Sequence, residues 1–567
     1  MITPTTKKEM DALGWEAADV VLFSGDAYID HPAFGAAVIA RVLESNGYKV
    51  AVVPQPNWRD DLRDFKKMGR PRLFFAITSG AMDSMVNHYT ASKRLRSNDA
   101  YTPEGRAGYR PDYAVTVYSN ILKELYKDVP VVIGGIEASL RRLTHYDYWQ
   151  DRLKPSILVD SKADYLVYGM GERPIVALAY ALDCGLSSDE IRAIPQLGYL
   201  ADNPPVTDYF DLHSYEDCLR NKIAFAQNFN IIEREANALY AMMLVEQVGN
   251  AFVCINPPYP PATEQEMDAI YALPFTKLPH PRYKDKRIPA YDMIKFSITT
   301  HRGCFGGCNF CTIAAHQGKF IQSRSKQSIA SEVAKLNDLP DFAGNISDLG
   351  APTANMYKMG GVRKDICAKC TRQSCLFPHM CKNLDHNHDT LLALYDKVLA
   401  VKGIEHAYVG SGIRYDLFLN ADGYLDESSK PYLEALIEKH TSGRLKVAPE
   451  HTQDNVLSVM GKPSFTLFVV LRNKFDDIVR RKGLKYQLVP YFISGHPGCS
   501  MRDMDALSKN QYLKGLYMEQ VQDFTPTPMT VSSVMFYTGL DVKSLRPLFV
   551  ERNIERKKKQ KSFFFNK

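Results

Sequence analysis

Between about residues 18 and 181 the chain repeats one pattern: a short unbroken run of aliphatic and β-branched residues, then a longer stretch of helical character. The runs are "ADVVLFSG", "YKVAVVPQ", "RLFFAITSG", "VPVVIGGIEAS" and "DYLVYGMGE". A strand with one wet face alternates polar and apolar residues, so continuous apolar runs demand burial on both faces. The pattern predicts an open parallel sheet of Rossmann-like type covered by helices, with a ligand crevice beyond the carboxyl ends of its strands. Gly134 and Gly135 close the fourth run, where close approach of backbone to a ligand would need them. Two polar segments interrupt the series, 79–113 and 139–155. The second carries Arg141, Arg142, His145, Tyr146 and Trp149, side chains suited to gripping an anionic or planar group or to packing against a neighbouring domain.

A second strand and helix series begins near residue 286. Its expected strands are "MIKFSITTHRG", "NISDLGAPTANM", "EHAYVGSGIRYD", "GRLKVAPEHT", "KYQLVPYFISGHPG" and "MTVSSVMFYTG". Between the first two, "SIASEVAKLNDL" puts Ile329, Val333 and Leu336 on one helix face. Six such units make most of a (β/α) barrel, whose chemistry sits at the carboxyl ends of its strands. The expected organisation is an α/β domain over residues 1–200, a helical and Pro-rich connector over 201–285, a partial (β/α)6 barrel over 286–545 and a basic tail over 546–567.

The 567 residues carry a formal charge of +6, which permits an anionic ligand without arguing for nucleic acid. The first residues, "MITPTTKKEMDALGW", contain no apolar signal core, and no later run approaches the roughly 18–20 apolar residues of a membrane span. A cytoplasmic location without membrane contact is expected. Thiols stay reduced there, so the eleven cysteines are read as ligands or core residues rather than a disulfide framework.

Three of them, Cys304, Cys308 and Cys311, fall within eight residues, "CFGGCNFC", just after the first barrel strand. A structural zinc site closes with four ligands. Three thiolates suit a 4Fe-4S cluster better, with one iron left free of protein ligands. This C-x3-C-x2-C loop, with Phe310 before its last cysteine, resembles the signature of radical S-adenosylmethionine (SAM) enzymes. The blocks "THRGCFGGCNFCTIAAHQGK", "ISDLGAPTANMY", "VGSGIRYD", "LKVAPEHT", "FISGHPGC" and "GGIEASLRRLTHYDYW" together resemble the YgiQ family of radical SAM proteins.

That resemblance implies a 4Fe-4S cluster and SAM as cofactors, a 5′-deoxyadenosyl radical acting on a substrate it does not identify, and an electron donor such as flavodoxin or ferredoxin. It also implies residue roles. Gly350 and Thr353 in "DLGAPT" stand where related barrels meet the SAM amino group, although the common acidic ending of that motif is missing. Arg414, Glu450 and His451 would reach the carboxylate and ribose, and His496 and Gly498 the adenine. An α/β domain ahead of such a barrel is similar to cobalamin-binding domains, which implies a cobalamin-dependent radical methyltransferase as an alternative. The matching loop here reads "IDHPAFG". Asp30 and His31 are adjacent and Gly35 is one place late, so the D-x-H-x-x-G pattern of many cobalamin proteins fails by register.

Cys367, Cys370, Cys375 and Cys381 lie within fifteen residues of an insertion over 361–388. Four thiols are a complete set for a structural zinc or a second 4Fe-4S cluster, with His379, His386 and His388 near. Cys184, Cys218, Cys254 and Cys499 are isolated and read as small core residues. The tail "ERNIERKKKQKSFFFNK" is expected to be solvated. Cations beside rings also allow contact with nucleic acid, and a non-catalytic, metal-stapled RNA-binding protein is the rival of a different class.

Overall fold

The computed structural model describes residues 2–419, 424–516 and 518–565. A nine-stranded sheet occupies the N-terminal half: β1 (Val20–Ser24), β2 (Val50–Pro54), β3 (Phe74–Thr78), β4 (Val131–Gly134), β5 (Tyr165–Val167), β6 (Leu197–Ala201), β7 (Tyr209–Leu212), β8 (Met243–Val248) and β9 (Ala251–Ile255), in the order 2-1-3-4-5-6-9-8-7. The five expected runs form β1 to β5, all mutually parallel. Every residue of β1 and β2 is buried, as continuous apolar runs require. The chain reverses direction around β1, between β2 and β3, and a ligand crevice is expected at that switch point.

The segment expected as a helical and Pro-rich connector instead supplies β7, β8 and β9 to the same sheet. β8 and β9 pair antiparallel with Val248 opposite Ala251, so Gly249 and Asn250 are a two-residue hairpin turn, with Gly249 at φ +59°. The prolines of 257–261 follow this hairpin, and the helix Glu264–Ala272 leads to the second half.

The second half is a partial (β/α)6 barrel. Its strands are β10 (Ser297–Thr299), β11 (Asn345–Ile346 continuing as Asp348–Gly350), β12 (His406–Ala407), β13 (Arg444–Glu450), β14 (Gln487–Ser494) and β15 (Gln520–Asp523). They pair parallel in chain order, with a parallel bridge from Ile413 to Val447 joining the third and fourth units. Ile329, Val333 and Leu336 pack into the barrel core on one face, as expected.

Two expected elements differ. "MTVSSVMFYTG" forms a helix, Val531–Thr538, rather than the sixth strand. Thr530 caps it by accepting from the Ser533 N–H, and Gly539 ends it at φ +73°. The helix is buried almost all round, so its apolar run has no helical period and mimics a buried strand. The sixth strand is the more polar "QVQD" just before it. The basic tail, expected as solvated, is a docked helix, Ile554–Ser562, with Lys557 and Gln560 buried; its last two residues, 566 and 567, lie outside the described residues. Among the described residues no helix is long and apolar enough to cross a membrane.

Candidate functional site

Strand β10 delivers the three-cysteine loop to the carboxyl end of the barrel. Its exit is fixed by Thr300, whose N–H donates to the Gly350 carbonyl at 2.9 Å, and by the buried His301 ring, 3.1 Å from the Thr353 carbonyl. Residues His301–Arg302 then pair with Gln322–Ser323 as a small hairpin, which holds the intervening loop. Asn309 anchors the far side: its N–H and side-chain amide donate to the Met460 and Val459 carbonyls at 2.9 and 2.8 Å.

Around the thiols, the Thr353 hydroxyl stands 3.3 Å from Cys304 Sγ and the Gly306 N–H donates to that sulfur at 3.4 Å. Arg414 Nη1 donates to Cys308 Sγ at 3.1 Å, while its Nε and Nη2 fork onto Asp416 at 2.8 and 2.5 Å. A Cβ at Gly306 would lie 2.7 Å from Arg414 Nη1, so only glycine lets guanidinium and loop meet. Burial pushes the Cys304 thiol up, and pushes Cys311 up to about 12, with the Cys308 thiol adding to both. Buried thiols that raise one another are poor thiolates alone and good ones beside a multivalent cation, which deprotonates the sulfur it binds. Among the described residues no three His, Cys, Asp or Glu side chains are drawn together as a finished coordination shell. What fits the cluster is the donor set: three half-buried thiols on one loop, with the Arg414 guanidinium reaching Cys308 from the end of the third barrel unit.

Of the residues expected to serve SAM, four gather at this face. Gly350 ends β11 and lines a cavity; Thr353 and Arg414 touch the cysteines. Glu450 ends β13 at φ +66°, a conformation that costs a non-glycine residue about 1 kcal/mol or more. Burial pushes its carboxyl up, against the pull of Lys462 and Arg414. The other three face elsewhere. His451 Nδ1 accepts from the Gln453 N–H, and its Nε2 lies 3.4 Å from Met504 Sδ and 3.6 Å from Cys499 Sγ. His496 is held by the Ser532 hydroxyl at 2.7 Å and meets Phe310 edge to face, so it supports the loop from behind. The Gly498 N–H is taken by the Phe549 carbonyl at 2.8 Å. Burial holds His451 at about 4 and His496 at about 3, both neutral at physiological pH.

The second cysteine loop lies directly on the first. The Cys375 N–H donates to the Phe305 carbonyl at 3.0 Å, the Ser374 hydroxyl to the Gly306 carbonyl at 2.8 Å and the Gln373 amide to Asn309 Oδ1 at 2.7 Å. Cys375 and Cys381 are joined by a backbone bond of 2.7 Å, and Cys367 and Cys370 by one of 3.1 Å. Lys319, which follows the first loop, donates to the Arg372 carbonyl. Cys218, Cys254 and Cys499 are buried and Cys184 is exposed.

A cavity of about 530 Å³ opens between the two halves. Its walls are Leu22 of β1 and the carboxyl ends of β3, β4 and β5 on one side, and Thr299, His301, Gly350 and Ser411 on the other. Gly135 shapes it: φ is +79°, and a Cβ there would fall 2.4 Å from Thr78 Oγ1. His31 is not in the lining, although Pro32, Ala33 and Gly35 are. Its Nδ1 accepts from the Ala33 N–H at 3.1 Å, and Asp30 is spent on the buried Arg41. A smaller cavity of about 150 Å³ adjoins the first through Gly169, Met170, Glu172, Arg302, His316 and Gln317. It contains Arg142 and Lys319. Of the five residues singled out in 139–155, Arg142 alone lines either cavity; Arg141 pairs with Asp83, and Tyr146 packs on Tyr537. Sequence reasoning gave no role to Lys319, Asp416 or Lys462; the place of Asp416, two residues after Arg414 on a strand end, was the one available signal.

A Radical SAM N-terminal family model matches residues 2–297. The chain is 55% identical to a UPF0313 protein of Bacteroides thetaiotaomicron, over 99% of this chain and 93% of that protein. It is 53% identical to one of Porphyromonas gingivalis, over 99% and 90%, and 46% identical to one of Methanocella arvoryzae, over 98% and 91%. Among solved structures it is similar to the radical SAM methyltransferase TsrM from Kitasatospora setae with cobalamin and a [4Fe-4S] cluster bound. That likeness has a TM-score of 0.48 and 15% identity, over 91% of this chain and 77% of that one. By its N-terminal match and its full-length relatives, the chain belongs to the UPF0313 family, the YgiQ family of radical SAM proteins.

Proposed function

We propose that this protein is a radical SAM enzyme in which Cys304, Cys308 and Cys311 hold a 4Fe-4S cluster. The observation that carries the reading is the thiol set at the carboxyl end of β10, with the Arg414 guanidinium 3.1 Å from Cys308. When bound, cluster and SAM supply a 5′-deoxyadenosyl radical able to take a hydrogen atom from a substrate. The chain's own part is to bind and orient. Arg414, held rigid by Asp416, donates toward a thiolate and lowers the charge of the site. The Thr353 hydroxyl donates to Cys304, Gly350 leaves the β11 end open, and Glu450 offers a buried carboxylate to hydroxyl or amino groups. Cys367, Cys370, Cys375 and Cys381 hold a second metal centre, zinc or iron–sulfur, that braces the first loop.

A second reading is favoured by one observation, the 530 Å³ cavity at the carboxyl ends of the sheet: a cobalamin-dependent methyltransferase. In that reading His31, which lies behind the lining, would not be among the residues that hold the cofactor.

The test follows 5′-deoxyadenosine from SAM in anaerobically reconstituted, dithionite-reduced protein, beside a Cys304→Ala, Cys308→Ala, Cys311→Ala variant. Formation by the parent alone is expected, with iron or zinc still bound to the variant and no cobalt retained after incubation with cobalamin. Protein that binds neither iron nor SAM would overturn the reading; retained cobalt with a corrin spectrum would favour the second.

A further inference from the structure

Arg142 and Lys319 are 4% and 3% exposed, and among the described residues neither has a carboxylate at ion-pair distance. They come from opposite halves: Arg142 follows the helix Gly135–Leu140 of the sheet domain, and Lys319 follows the helix Ile313–Gln317 after the three-cysteine loop. Both line the 150 Å³ cavity. Arg142 uses one of its five N–H donors, Nη1 to the Ser139 carbonyl at 2.7 Å, and lies over the Tyr168 ring at 5.0 Å. Lys319 donates to the Arg372 carbonyl, which leaves two of its three donors. Glu233 lies within electrostatic reach of both, its Oε1 accepting from Asn237 at 3.1 Å, and Lys319 also acts on the Cys375 thiol.

A buried cation without an ion pair of its own costs several kcal/mol, which a more distant carboxylate offsets only in part, so two such cations on one cavity favour an anionic occupant. By contrast, Arg302 in the same walls is paired with Glu172 at 2.5 Å. The apolar part of the small cavity is Ile232, Leu239, Met242 and Tyr259; its carboxylates, Glu172, Glu235 and Glu266, are each already paired, with Arg302, Arg234 and Arg173, and it adjoins the larger, mostly aliphatic cavity.

We propose that Arg142 and Lys319 form a subsite for the anionic head, carboxylate or phosphate, of a substrate with an apolar body. This rests on the radical SAM reading only in calling the ligand a substrate; the anion site itself does not. The pair spans the two halves, so an anion seated there draws the sheet domain onto the loop that carries the cysteines. A planar fork and a point charge on the walls of one cavity suit either oxyanion.

The test is calorimetric titration of reconstituted protein with octanoate, octyl phosphate and the neutral octanamide. One of the two anions is expected to bind saturably and the amide not, which also separates carboxylate from phosphate. Arg142→Gln and Lys319→Gln should each weaken binding at least ten-fold, and Glu233→Gln, which removes the competing carboxylate, should tighten it. Should Arg142→Gln not fold, the other two variants decide. Binding of neither anion, equal binding of the amide, or affinities unmoved by these variants would overturn the proposal. Iron and SAM binding are read on the same samples: anion binding without SAM binding sinks the radical SAM reading alone, and SAM binding without anion binding sinks the subsite alone.

Discussion

Glu246 shows what one buried carboxyl costs this fold. It sits on β8, 1% exposed, and accepts the Thr144 N–H at 2.9 Å. Burial pushes it up from 4.5 to about 7, the Thr144 contacts pulling against it. Between those two values the folded chain holds a proton that the unfolded chain has released, so stability falls as pH rises through the window and is level above it. A shift of that size corresponds to about 3 kcal/mol. Glu246→Gln should therefore melt at the same temperature as the parent near pH 4.5 and progressively higher up to pH 8. A gap independent of pH in paired thermal melts would refute the assignment. At this scale the sequence was readable where spacing imposed geometry and opaque where partners lay far along the chain. Cys304, Cys308 and Cys311 share one loop because eight residues cannot separate them. Arg141 and Arg142 are neighbours of identical type, yet one finds Asp83 and the other faces a cavity. His451 and His496 end barrel strands as expected, but their rings turn into the core toward Met504 and Ser532.

At the scale of elements, legibility followed hydrophobic period. β1 to β5 were evident as unbroken apolar runs, whereas β15, with its polar "QVQD", was hidden and the buried helix Val531–Thr538 took its place. The hairpin of β8 and β9 did leave a signal, Gly249–Asn250 between two apolar runs, which the prolines that follow obscured. The C-terminal helix Ile554–Ser562 is the converse case, because its buried face is polar. Lys557 Nζ donates to the Phe524 carbonyl at 3.0 Å, Gln560 to the Cys499 carbonyl at 3.1 Å, and Phe564 meets Phe492 at 5.4 Å. A buried phenylalanine contributes about 2 kcal/mol and each hydrogen bond about 1. Removing residues 553–567 should thus cost the barrel roughly 4 kcal/mol, seen as a lower melting temperature. Because Phe524 packs on His496 and His496 on Phe310, iron should also be lost faster to a chelator. An unchanged melting temperature with loss of co-purified nucleic acid would instead make this helix an RNA contact.

Over the whole molecule, the two halves are joined by buried and half-buried polar contacts that no local pattern announces. Arg302, one residue from the loop, forks between Glu172 at 2.5 Å and the Tyr271 hydroxyl at 3.2 Å. His316 Nδ1 meets the Ser139 hydroxyl at 3.1 Å, and Asn230 reaches the Val542 carbonyl at 2.6 Å. Burial and the proximity of Arg142 and Arg302 hold His316 at about 4, so this joint keeps one charge state across physiological pH. The Arg302–Glu172 pair is different in kind. Breaking a buried pair from one side strands the other charge and costs about 3–5 kcal/mol, whereas replacing both partners with apolar residues of similar volume is often neutral. Glu172→Gln should therefore loosen the halves, with faster proteolysis in the Pro-rich stretch 257–261 and faster chelation of cluster iron. The double variant Glu172→Met with Arg302→Met should restore both rates toward those of the parent. If the double variant opens as readily as the single one, the guanidinium is needed for its hydrogen bond to Tyr271 rather than as a neutralised charge. If neither variant opens, the joint rests on the apolar packing around the cavity, and the charges beside the cysteines serve the ligand instead.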